Sequence, residues 1–211
     1  MTGPADPVLV LASTSRYRAE LLQRLRVPFS SRAPEVDETR RVDESALDLA
    51  LRLAAEKAAA VARTAPGCWV IGSDQVCMLG EEALGKPGSH AAAVAQLQRL
   101  SGRDAVFHTA VCVIDPEGGV QVRNCPTEVR FRTLSPTEIE TYLTLDAPYD
   151  CAGSARSESL GPALLKHMRS DDPTALIGLP LIDLCNMLRL SGFDVLARAL
   201  NSRSAQRPAQ V

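Results

Sequence analysis

The chain has 211 residues, of which 45% are apolar, 23% charged and only 4% aromatic. That balance describes a globular protein, one large domain or two small lobes sharing a cleft, with a core of Leu, Val, Ile and Ala. A formal net charge of −2 excludes a protein that holds nucleic acid by bulk positive charge, leaving room only for a local basic pocket.

In chain order, Val8 to Leu11 reads as a short buried strand. This first apolar run is too short for a signal segment and far short of a membrane span, so a cytoplasmic protein that does not enter the membrane is expected. Ser13-Thr14-Ser15 offers capping hydroxyls to a helix over Arg16 to Arg26, with Leu21, Leu22 and Leu25 on one face. A strand at Phe29 to Arg32 precedes an acidic loop through Asp37 and Glu38. Ser45 opens a long helix, its buried residues read as Leu47, Leu51, Leu53, Ala54 and Ala58, which stops before Pro66-Gly67. Trp69 to Gly72 is a strand that ends in Ser73-Asp74-Gln75.

Gly85-Lys86-Pro87-Gly88 reads as a turn, followed by a helix from His90 to Leu100. Two strands, Val106 to Ile114 and Val120 to Arg132, form a hairpin about Pro116 to Gly119. Ser135-Pro136 starts a helix reaching Leu145, with Glu138 in its first turn. A glycine-punctuated stretch, Cys151 to Gly161, leads to short helices up to Gly192, and the polar segment 201–211 is expected to be a flexible tail. Alternating strands and helices with one hairpin predict an α/β fold with a mixed sheet.

The cysteines form no C-x-x-C pair, and with dispersed His90, His108 and His167 they give no zinc-like spacing. Free, structural thiols are expected. Asp74, at the end of an apolar strand, and Glu38, in a loop after another, would suit a hard divalent ion such as Mg²⁺ or Mn²⁺. Either acid alone reads equally well as a cap or a solvated loop residue. Lys86, pinned between Gly85 and Pro87, and Arg18, beside a helix start, are candidate phosphate ligands. Lys57 in mid-helix reads by itself as solubilising surface. Acids for a metal and cations for phosphates together fit hydrolysis of a phosphoanhydride.

The segments Leu11-Ala12-Ser13-x-Ser15-x-x-Arg18, Pro34-x-x-Asp37-Glu38, Ala55-Glu56-Lys57-Ala58, Gly72-Ser73-Asp74-Gln75 and Gly85-Lys86-Pro87 resemble, in order, those of the Maf family. Thr109-Ala110-Val111, Ala152-Gly153-Ser154 and Ile177-Gly178-Leu179-Pro180 continue the likeness, from about Leu9 to Gly192. The resemblance implies a nucleoside triphosphate pyrophosphatase of the Maf and inosine-triphosphatase type. Its fold would be a mixed twisted sheet with flanking helices, two lobes around a central nucleotide-binding cleft, as one domain over 1–200. By position, Asp74 would be the general base and Glu38 would join it in holding a divalent cation, Mg²⁺, Mn²⁺ or Co²⁺. Ser13, Arg18, Lys57 and Lys86 would bind phosphates; the site role of Lys57 comes from the resemblance alone. Homodimers are common among similar proteins.

Within the family the chain is most similar to the branch acting on 7-methyl-GTP, through Gln75 after the catalytic acid and Glu158 in Ala152 to Gly161. Tyr17 stands where that branch more often has Trp, and Arg16 where Pro is frequent. A base carrying the delocalised charge of N7-methylation favours an aromatic face, Tyr17, and a carboxylate, Glu158; Gln75 can add a hydrogen bond to the base edge. The rival readings are a pyrophosphatase for other modified or pyrimidine triphosphates (dTTP, UTP), and a non-catalytic nucleotide-sensing division regulator.

Overall fold

A computed structural model of the protein describes residues 9–205, with side chains up to Arg203. Its sheet begins with β1 (Leu9–Ala12), which pairs in parallel with β2 (Phe29–Arg32) and with the first residues of β3 (Trp69–Leu79). β3 also pairs antiparallel with β4 (Glu82–Leu84) and β5 (Asp104–Ile114). β5 then pairs with β6 (Val120–Phe131), and β6 with the edge strand β7 (Leu165–Ser170), both antiparallel. The order is β2-β1-β3-β5-β6-β7, a mixed sheet.

Period-two burial assigns each face its helices. Leu9, Leu11, Ile71, Val111 and Val113 pack against Leu21 and Leu22 of α1 (Arg16–Gln23) and Leu184, Met187 and Leu188 of α5 (Leu181–Leu190). Val10, Ala12, Val70, Ala110 and Cys112, pointing the other way, pack against Ala50, Leu53, Ala54 and Ala58 of α2 (Ala46–Ala62). At about 3.3 Å per residue, β3, β5 and β6 each run well over 30 Å and pass on into a second lobe. There Leu79, Leu84, Phe107, Val129 and Phe131 meet Leu97 and Leu100 of α3 (His90–Leu100) and Ile139 and Leu143 of α4 (Pro136–Asp146). Ser135 caps α4 in a reciprocal capping box with Glu138.

Several expectations change. β3 does not stop at Gly72 but runs to Leu79, so Asp74 lies in mid-strand opposite Ala110. The polar run Ser73-Asp74-Gln75 can stay in a buried strand because each side chain has a partner: Ser73 carbonyl oxygens, Asp74 Lys57, Gln75 Thr109. The stretch read as short helices contains β7, whose exposed Lys166, His167 and Arg169 suit an edge strand. Residues 85–88 are not a turn; the stretch is held at its ends by Gln96 Nε2 donating to Gly85 O (3.0 Å) and Gly88 N to Tyr149 O (2.9 Å). The expected tail boundary falls inside α6 (Val195–Ala205); Val8 and residues 206–211 lie outside the described residues. No described helix is long and apolar enough to cross a membrane.

Candidate active site

α2 presents Ala50, Ala54 and Ala58 to the sheet, and it comes very close at Gly72: a Cβ there would lie 2.1 Å from Ala54 O and 2.7 Å from Ala58 N. This approach lays Lys57, one residue before Ala58 and on the same buried stripe, across β3. Lys57 Nζ donates to Asp74 Oδ1 at 2.6 Å and pairs with Glu38 Oε1 at 2.6 Å. Lys57 is 5% exposed and Asp74 8%. One nearly buried ammonium thus gathers two carboxylates from a helix-flanking loop and a strand. Burial opposes charge on Glu38, but its hydrogen bond and charge contact with Lys57, aided by Lys86 and Arg18, hold its carboxyl below the ordinary value.

Beside this cluster α1 starts. Ser15 caps it, accepting from Arg18 N, while the buried Ser13 accepts from Ser15 N at 3.1 Å. Arg18 donates its Nε–H to Gly178 O at 2.9 Å, and its Nη groups make no other hydrogen bond among the described residues. Burial lowers its pKa, against the opposing pull of Asp74 and Glu38. Gly178, at φ 124°, turns the chain so that its carbonyl also lies 2.9 Å from Ser73 Oγ. Asp172, 2% exposed, fixes that loop by accepting from Thr174 N (2.8 Å), Thr174 Oγ1 (2.6 Å) and Ile182 N (2.6 Å).

At the other end, Tyr17 donates to Asp150 Oδ1 at 3.1 Å, and burial pushes its phenol up to about 12. The guanidinium carbons of Arg16 and Arg156 lie 4.7 and 5.3 Å from its ring centroid. Arg156 is ringed by Asp146, Asp150 and Glu158 at 3.7–3.8 Å. Burial raises the pKa of Glu158, with Arg156 acting in the opposite sense. Gln75 donates its amide nitrogen to Thr109 Oγ1 at 2.9 Å and to Ala175 O and Leu176 O at 3.1 Å. It seats the turn 175–177 and keeps only its carbonyl oxygen for a ligand.

A cavity of about 680 Å³ joins these parts, within the range of small-molecule sites. Ser13, Tyr17, Arg18, Glu38, Lys57, Asp74, Gln75, Lys86 and Glu158 all line it, so the structure brings every candidate residue to one wall or another. Asp150 and Gly178 line it too and were not singled out from sequence. Asp150 carried no local signal, since its contact with Tyr17 spans 133 residues. Gly178 sat within a noted motif, and a glycine between Ile177 and Leu179 was the available hint of a left-handed turn.

The family model described as Maf-like protein matches residues 8–191. The chain is 54% identical over 197 residues to the 7-methyl-GTP pyrophosphatase of Albidiferax ferrireducens, covering 93% of this chain and 99% of that protein. It is 57% identical over 192 residues to the 7-methyl-GTP pyrophosphatase of Thiobacillus denitrificans, covering 90% and 96%. Among solved structures, the Staphylococcus aureus Ham1 protein aligns at 17% identity and a TM-score of 0.43, over 59% of this chain and 72% of that one.

Proposed function

The chain belongs to the Maf family, and on that premise we propose that it hydrolyses 7-methyl-GTP to 7-methyl-GMP and pyrophosphate. The observation that carries the reading is Asp74, a nearly buried carboxylate in the wall of a nucleotide-sized cavity, hydrogen-bonded to a lysine that also holds Glu38. Its relatives' names supply the substrate; the base end supports it independently. Glu158 is a carboxyl lining the same cavity as the Tyr17 ring, with Arg156 3.8 Å away, and a cationic base offers it charge compensation that a neutral base does not.

Glu38 and Asp74 fit a divalent cation. Each engages Lys57 through one oxygen, which leaves the other oxygen of each carboxylate as a hard donor, and Mg²⁺ or Mn²⁺ typically takes one or two carboxylates with substrate phosphates and water. Among the described residues no group of three or more His, Cys, Asp or Glu forms a protein-only cage. Bound there, such an ion supplies charge neutralisation for phosphate oxygens.

The chain's own residues do the rest. Lys86, Arg18 and the α1 N-terminus hold the triphosphate, and Lys57 fixes the direction of Asp74. Asp74 accepts a proton from a water attacking the α-phosphorus; the bond from that phosphorus to the bridging oxygen breaks, and pyrophosphate departs with its electron pair. No covalent enzyme intermediate is required.

The test is a panel of 7-methyl-GTP, GTP, dTTP and UTP with Mg²⁺, Mn²⁺ or Co²⁺, scoring pyrophosphate against orthophosphate. The highest kcat/KM is expected for 7-methyl-GTP with pyrophosphate as product. Orthophosphate as the product, or a preference for dTTP or UTP, would overturn the reading.

A further inference from the structure

We propose that Arg52 is a positioning residue for the reaction, acting through the loop that carries Glu38; this rests on the role given to Glu38 above. Residues 33–45 contain no helix or strand, and the apolar Val42 is 92% exposed, so packing does little to fix them. Glu38 itself has a side chain 57% exposed. The loop is instead tied down by polar contacts to α2, the helix that carries Lys57.

Arg52 is the centre of that tie. Its guanidinium grips Glu44 in a two-point pair, Nε to Oε1 at 2.6 Å and Nη2 to Oε2 at 2.9 Å. The same Nη2 donates to Thr39 O at 3.0 Å, next to Glu38, and Nη1 donates to Glu56 Oε2 at 2.9 Å. Glu56 in turn accepts from Arg41 at 2.9 Å, closing a box from helix to loop and back. The side chains of Arg52 and Glu44 are only 12% and 8% exposed, so this is not a solvated surface pair. Arg52 and Lys57 share one helix, so the brace sets where Glu38 stands relative to Lys57 and Asp74. The planar fork makes the two-point pair with Glu44 while also reaching the Thr39 carbonyl; an ammonium, with its donors on one nitrogen, cannot reproduce that two-point grip.

The test is a double-substitution cycle with Arg52→Lys and Glu38→Gln, read as kcat and KM for 7-methyl-GTP with Mg²⁺, with the urea midpoint of each variant alongside. Arg52→Lys is expected to lower kcat about 10- to 100-fold, as loss of outer-shell support at metal and catalytic sites does. In the Glu38→Gln background the same change is expected to matter by no more than about twofold, the usual additivity error. Glu44→Gln removes the pair from the loop side and is expected to repeat the pattern. If Glu38→Gln is damaged but the Arg52→Lys effect persists undiminished on top of it, Arg52 does not act through Glu38 and the proposal falls alone. If Glu38→Gln is fully active, the role of Glu38 falls and the proposal with it. Failure of both Arg52→Lys and Glu44→Gln to fold would make the brace purely structural and also overturn it.

Discussion

Lys57 holds Asp74 and Glu38 at 2.6 Å each, so removing charge from Asp74 still leaves the lysine a partner. Asp74→Asn should therefore stay folded, with an unchanged far-ultraviolet spectrum, while pyrophosphate release falls about 10²- to 10⁴-fold, the usual worth of a general base. Near-normal turnover in this variant would remove Asp74 from the mechanism. Glu158→Gln tests the base end. A hydrogen bond to a charged group is worth about 1.5–3 kcal/mol, so KM for 7-methyl-GTP should rise on the order of 10- to 100-fold, and KM for GTP much less. An equal change for both nucleotides would deny Glu158 a part in sensing the methyl-induced charge. The burial of Lys57 did not follow from the stripe drawn through Leu47 and Leu51, and its place in the site came from the resemblance. Ala46, Leu49, Ala50, Leu53, Ala54, Lys57, Ala58 and Val61 recur at helical spacing and are the buried stripe of α2. A stripe through Leu47 and Leu51 puts the lysine outside, and Leu47 is 37% exposed. Asp150 and Arg156, by contrast, are joined to Tyr17 only by the folded chain.

Among the elements, the contact between α2 and β3 depends on one missing side chain. Gly72→Ala places a methyl group 2.1 Å from the Ala54 carbonyl, and backbone on both sides leaves no flexible group to yield. Overpacking of this kind costs about 1–3 kcal/mol. Both the urea midpoint and turnover should fall, because lifting α2 draws Lys57 from Asp74; a variant with wild-type midpoint would show that the helix is not seated as described. α4 offers a pH-dependent element. The backbone and side chain of Ser135, then Arg132, hold the Glu138 carboxyl from its ordinary 4.5 down to about 2. A depressed folded pKa means that its contribution is complete above about 4.5 and is lost as the pH falls towards about 2. Glu138→Gln should flatten the fall of the urea midpoint over that acid range; an unchanged slope would count against the capping box. The cap of α4 was readable from Ser-Pro-x-Glu, and the stripes of the helices gave their place. The length of β3 was not, because a polar run resembles a strand end until its partners on α2 and β5 are known. β7 was hidden for the reason that suits an edge, too few apolar residues to alternate.

For the whole molecule, the cavity is walled by both lobes: Ser13, Arg18, Glu38 and Lys57 from the first, Lys86, Asp150 and Glu158 from the segments flanking α3 and α4. The two-lobed α/β plan was inferable from element order and family likeness, but which loops meet across the cleft follows from the register of β3 with β5 and β6. A ligand spanning that cleft binds the folded state and not the unfolded chain, so it must stabilise folding by mass action. At 100 times its Kd the gain is about 2.7 kcal/mol, a shift readily seen in urea. The Asp74→Asn variant, which should not consume the ligand, is the protein to use, with Mg²⁺ present. Inorganic triphosphate should raise the midpoint through Lys86, Arg18 and the α1 N-terminus alone. GTP should raise it further, and 7-methyl-GTP furthest, because only the last brings a cation to Glu158. Equal shifts from 7-methyl-GTP and inorganic triphosphate would mean that the base end makes no net contribution, and that the cavity recognises phosphates only.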